Sequence, residues 1–95
     1  MDITYHLSDH TIDTPEGTIS CAEVCRQLGI RMPDVVLTKA VQTGWGDIED
    51  YKEVVLPLDE AYGSPGHYVV IWEAAYDLAL SYGRHIGADK AIVTD

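Results

Sequence analysis

The sequence predicts an α+β domain: a small single-layer sheet of short strands with two or three helices packed on it. Three observations carry this expectation. Short alternating apolar runs broken by turn residues fill the first 20 positions. A helix signal with a stop at each end covers residues 20–29. A long amphipathic stripe over residues 72–86 is followed by a short β-branched run at 90–94. The 95 residues make a single domain, since two cores of half that size would each be too small to stand alone. A hydrophobic fraction of 46% is that of a folded chain, not of a disordered acidic tail.

Ile3–Leu7 alternates and favours a strand, with Ser8, Asp9 and His10 as a turn and Thr11–Asp13 as the next strand. Thr14-Pro15-Glu16-Gly17 is a turn signal, because proline fixes φ and glycine admits positive φ; Thr18 and Ile19 then return to complete an N-terminal hairpin. Ser20 and Glu23 stand at capping-box spacing, so a helix is expected over 21–28, with Gly29 as its stop. Cys21, Val24, Cys25 and Leu28 share its inward face.

Residues 33–43 admit two readings. Pro33 suits a first helical position and Asp34 complements the positive helix end, and Val35, Val36, Leu37, Ala40 and Val41 would form a broad apolar face. The β-branched content fits a strand as well, and helix is the expectation adopted. Residues 43–47 form a loop, with Trp45 between Gly44 and Gly46. Strands are expected near 53–58, with Pro57 marking an edge or an end, and at 67–71, where His67-Tyr-Val-Val-Ile71 is the strongest apolar run. The helix at 72–86 places Trp72, Ala75, Leu78, Ala79, Tyr82 and Ile86 on one face. A terminal strand over 90–94 would run parallel to the strand at 67–71 if both joined one sheet.

Charge is the most informative functional signal. Sixteen acidic residues against six basic ones give a net charge of −10. The excess is uneven: residues 1–23 carry five acids and no base, residues 24–46 are locally +2, and residues 47–95 carry −7. Such a chain repels nucleic acid and anionic lipid and attracts basic partners. Adaptation to high salt would give a similar composition. No secretory signal follows Met1, and no apolar run approaches the roughly 20 residues needed to span a bilayer, so a cytoplasmic protein is expected.

The acid run over 47–60 is the principal candidate site: Asp47, Glu49, Asp50, Glu53, Asp59 and Glu60, with Trp45 beside it as a candidate anchor. Carboxylates spaced along a strand and its loops can imitate a phosphate backbone, and the expected partner is then a basic protein that handles nucleic acid. The plainer reading is a solvated edge that keeps a strand from aggregating. In size and charge, though not in motif, the chain resembles the small acidic inhibitors encoded by phages and mobile elements. The resemblance implies a non-enzymatic module that acts by occlusion.

Two alternatives arise from other residues. Residues 20–30 resemble the first helix and turn of a helix-turn-helix. A second helix from Pro33, extending the motif over residues 20–44, would place Arg31, Lys39 and Gln42 near phosphates or base edges, with the acidic remainder serving dimerisation. His6 and His10, with Asp9 and Asp13, would have to converge to make a small metal-dependent enzyme. No phosphate-binding glycine loop, nucleophile elbow or His-Glu-x-x-His pattern is present, so neither a catalytic site nor a cofactor is expected. Cys21 and Cys25, the only cysteines, lie one helical turn apart, a poor geometry for a disulfide; they lack the paired spacing of a zinc finger and read as buried thiols.

Overall fold

The computed structural model describes residues 1–42, 48–63 and 67–95, with the side chains of 40–42 and 48–50 outside the description. It is an α+β fold with a four-stranded mixed sheet, a separate two-stranded ribbon and two α-helices. Strands β1 (Asp2–His6), β2 (Thr11–Thr14), β3 (Gly17–Ser20) and β6 (Lys90–Thr94) form the sheet in the order β3-β2-β1-β6. β1 pairs antiparallel with β2, and β2 with β3. β6 lies parallel to β1, with Ile3 opposite Ala91 and Tyr5 opposite Val93.

One sheet face is buried and the other polar, the alternation read from the first 20 residues. Ile3, Tyr5 and Ile12 point into the core. On the opposite face His6 Nε2 lies 2.6 Å from Asp13 Oδ2, and Thr18 Oγ1 donates to Asp13 Oδ1 at 2.6 Å.

Helix α1 (Cys21–Leu28) packs against β3. The Ser20 hydroxyl accepts from the Glu23 backbone N–H at 3.1 Å, and Gly29 ends the helix at φ 68°, a left-handed conformation that favours glycine. Only half of a capping box is made, because the Glu23 carboxylate turns to Arg26 and Gln27. That pairing with the Arg26 guanidinium, and secondarily with Gln27, holds the Glu23 carboxyl down at about 2. Ser20→Ala is expected to cost about 1 kcal/mol by leaving the first-turn N–H without its acceptor, a loss measurable by urea unfolding.

Helix α2 (Tyr68–Ile86) lies across β1 and β6 and buries Ile71, Ala75, Leu78, Ala79 and Tyr82. Gly83 is buried where α2 meets the sheet, and a Cβ there would make ordinary contacts with Ile3 Cδ1 at 3.4 Å and Ala88 Cβ at 3.5 Å. Trp72 is half-buried and stacks on Tyr76 with ring centroids 5.0 Å apart.

Three expectations are corrected. Residues 67–71 are not a strand; they lead into and form the first turn of α2. Ile71 continues the spacing of Ala75 and Leu78, and this helical stripe overrides the strand propensity of Val69 and Val70, which stay exposed. The parallel partner of β6 is therefore β1. Residues 34–42 are not a helix but strand β4 (Asp34–Gln42), in which Val35 and Leu37 are buried while Val36 and Thr38 are exposed, a period of two. Pro33 does not open a helix; its carbonyl accepts from the Leu58 N–H at 2.8 Å at the ribbon's base. Finally, the strand near 53–58 belongs not to the main sheet but to β5 (Ile48–Pro57), which among the described residues pairs only with β4.

The β4–β5 ribbon elongates the molecule. The overall extents are 54 × 23 × 16 Å and the radius of gyration is 15.6 Å. A compact chain of this length would have a radius near 12 Å.

Candidate functional site

The ribbon is the surface element least accounted for by the fold, and it carries Glu49, Asp50 and Glu53 of the acid run. Its register places Val35 opposite Leu56 and Leu37 opposite Val54 on one face, which packs toward the body. The alternate pair, Val36 opposite Val55, lies on the outer face, 47% and 57% exposed. Further along, Thr38 faces Glu53, both exposed, and Tyr51 is 69% exposed. The outer face thus presents three β-branched residues, an aromatic ring and a carboxylate to solvent.

The body-facing side changes character where it leaves the core. Beyond Leu37 and Val54 the next pair is Lys39 opposite Lys52, both exposed. Two like charges directly opposed cost stability and discourage another strand or sheet from stacking there. Between this side and the body runs a groove of about 420 Å³, floored by Leu37, Val54 and Leu56 and walled by Lys39, Tyr62 and His67. His67 Nε2 donates to the Thr38 carbonyl at 2.6 Å and so ties the start of α2 to the ribbon.

The predicted acidic residues are spread along this ribbon rather than gathered on one face. Trp45 and Asp47 lie outside the described residues. Glu49 falls at the irregularity in β5, between the pairs Gln42–Ile48 and Val41–Asp50. Glu53 is on the outer face. Asp59 and Glu60 belong to the single 3-10 turn Leu58–Glu60 at the base, where Asp59 is half-buried and Glu60 exposed. The remaining acidity surrounds the body: Asp2, Asp9, Asp13, Glu16, Glu73, Asp77 and Asp89 are all exposed.

The helix-turn-helix alternative fails on the geometry of β4, because its second helix is a strand. Arg31 donates to Asp34 at 3.2 Å, Lys39 faces Lys52, and Gln42 ends β4 opposite Ile48. The convergence of His6, His10, Asp9 and Asp13 does not occur either. His6 pairs with Asp13 on the solvent face, Asp9 accepts from Thr11, and His10 is buried. Among the described residues no three His, Cys, Asp or Glu side chains converge as a metal site.

His10 is the functional-looking residue that the sequence concealed. It is 2% exposed, with Nε2 2.8 Å from the Ala61 carbonyl and Nδ1 2.6 Å from the Tyr5 hydroxyl. A carbonyl only accepts, so Nε2 carries the proton and Nδ1 takes the phenolic hydrogen. Its ring also meets Tyr62 edge-on, with centroids 4.9 Å apart. This network joins the β1–β2 turn to the segment leading into α2 and engages both ring nitrogens within the protein.

Among the described residues no helix is long and apolar enough to cross a membrane. No protein-family model, curated protein or solved structure matches this chain.

Proposed function

We propose that this chain is a non-enzymatic binding module that uses the outer face of the β4–β5 ribbon to dock a basic protein. The observation that carries the reading is the exposed Val36–Val55 pair with Tyr51 and Glu53 on a ribbon that extends the molecule to 54 Å. An apolar centre containing a tyrosine, within a polar rim, is the usual anatomy of a protein interface. The −10 charge, distributed around the whole body, steers a basic partner toward this element and makes association salt-sensitive. In its finer form the partner handles nucleic acid, and the module occludes its binding surface. The charge supports that form, with Glu53 on the outer face as the acidic contact.

The test is capture from nuclease-treated lysate at low and high salt, with variants that leave the core untouched. Wild-type protein should retain a basic protein at low salt and release it at high salt. Tyr51→Ala with Val55→Ser should weaken capture about 30-fold, the effect of losing an interface anchor worth roughly 2 kcal/mol. Glu53→Lys with Asp50→Lys should slow association without altering the circular dichroism spectrum. Equal capture by wild type and both variants would reject the ribbon as the docking element.

A further inference from the structure

Three sulfur atoms meet where α1 packs against the segment that leads into β4. Cys21 Sγ lies 3.5 Å from Met32 Sδ, and Cys25 Sγ lies 4.0 Å from the same atom. The helix supplies the first two sulfurs, because residues four apart stand one above the other on one face. The chain reversal at Gly29 supplies the third: the Ile30 N–H bonds back to the Cys25 carbonyl at 3.0 Å, and the following residues return Met32 across the inward face of α1. The thiols are 1% and 4% exposed, whereas Met32 is half-buried, so the thioether forms the side of the triangle nearest solvent.

We propose that Cys21, Cys25 and Met32 form a binding site for a soft monovalent metal ion, Cu(I) in the first instance. This goes beyond the docking function and does not depend on it. A metal–sulfur bond of about 2.3 Å in a trigonal planar arrangement sets its sulfurs about 4 Å apart. The two observed edges, 3.5 and 4.0 Å, lie within half an ångström of that spacing. The donor set selects the ion: two thiolates and a thioether suit Cu(I), whereas zinc requires a fourth ligand and prefers imidazole, carboxylate or further thiolate. Binding releases both thiol protons to solvent and leaves the metal in its original oxidation state.

The test is an anaerobic titration of the full chain with Cu(I) supplied from a bathocuproine-type chelator, read by chelator absorbance and by X-ray absorption at the copper edge. One ion per chain with three sulfur scatterers is expected. Because two protons leave, apparent affinity should rise about 100-fold per pH unit near neutrality. Met32→Leu preserves volume and fold, and it should lower affinity at least tenfold and reduce the scatterers to two. Cys25→Ala should abolish transfer; if that variant fails to fold, Met32→Leu still decides. Failure of the wild type to take Cu(I) from the chelator overturns the proposal, as does a Met32→Leu variant with unchanged affinity and sulfur count.

Discussion

Replacing His10 with alanine is expected to destabilise the fold by about 3–5 kcal/mol, more than any surface change in this chain. Two buried groups lose their partners together: the Tyr5 hydroxyl loses its acceptor and the Ala61 carbonyl loses its donor. Each orphaned buried group costs about 1–3 kcal/mol, and the vacated ring volume adds a cavity penalty. His10 also has φ 52°, a conformation that alanine tolerates worse than histidine does. Tyr5→Phe provides the graded control. It removes one donor, leaves the second bond intact, and should cost about 1–2 kcal/mol. Urea unfolding of the three proteins measures both losses. A domain of this size has about 5–10 kcal/mol in all, so His10→Ala should be partly unfolded at 37 °C. A loss below 1 kcal/mol for His10→Ala would mean that water replaces the ring and that the network is not what joins the β1–β2 turn to the 61–63 segment.

The contrast between His10 and α1 shows what a sequence exposes. Ser20, Glu23 and Gly29 are legible because the groups they satisfy lie within a few residues, so the start and stop of α1 follow from local chemistry. One partner of His10, Tyr5, is nearby in sequence, but the other, Ala61, is 51 positions away, and nothing local distinguishes this histidine from a polar turn residue. The same limit explains the sulfur triangle. The Cys21–Cys25 spacing is visible as one helical turn, but Met32 joins them only because the chain reverses after Gly29.

The two misassigned segments fail for a different reason: periodicity in a short apolar run is ambiguous. In residues 34–42, counting Val36 as buried produces a helical face. Recognising it as exposed leaves Val35 and Leu37 alternating, and that distinction depends on what packs beneath. In residues 68–71, Tyr68, Val69 and Val70 have strand propensity, yet only Ile71 is buried, and it belongs to the stripe of α2. The acid run was legible as charge but not as a surface. β5 carries it past one face of the ribbon and into the turn at its base, so sequence proximity did not become a common plane.

Alkaline pH should destabilise this fold more steeply than its carboxylates alone would suggest. Burial, with smaller contributions from Cys25 and Asp59, pushes the Cys21 thiol from an ordinary value of 9.0 up to about 12. Burial raises Cys25 as well, with the Asp59 charge adding to it, and raises the Tyr5 phenol above its ordinary 10.0. A raised value means that the folded state holds a proton which the unfolded chain has already released. The stabilisation is therefore complete below about pH 9 and is lost as pH rises toward the folded value near 12. Each such group contributes a slope of up to about 1.4 kcal/mol per pH unit. In the presence of reductant, Tm should be nearly level from pH 7 to about 8.5 and fall increasingly above pH 9. On the acid side the lowered carboxyls of Asp13, Glu23 and Asp89 act in the opposite sense, since their stabilisation is lost as pH falls through their depressed values. They are exposed, so solvent screening keeps that arm shallow. Cys21→Ala separates the contributions. It should remove close to one proton's worth of slope between pH 9 and 11 while leaving the acid arm unchanged. An alkaline slope identical to wild type would assign the effect to Tyr5 and Cys25. It would also mean that the Cys21 thiolate is accommodated within the fold, since only a thiol held protonated there can contribute to the slope.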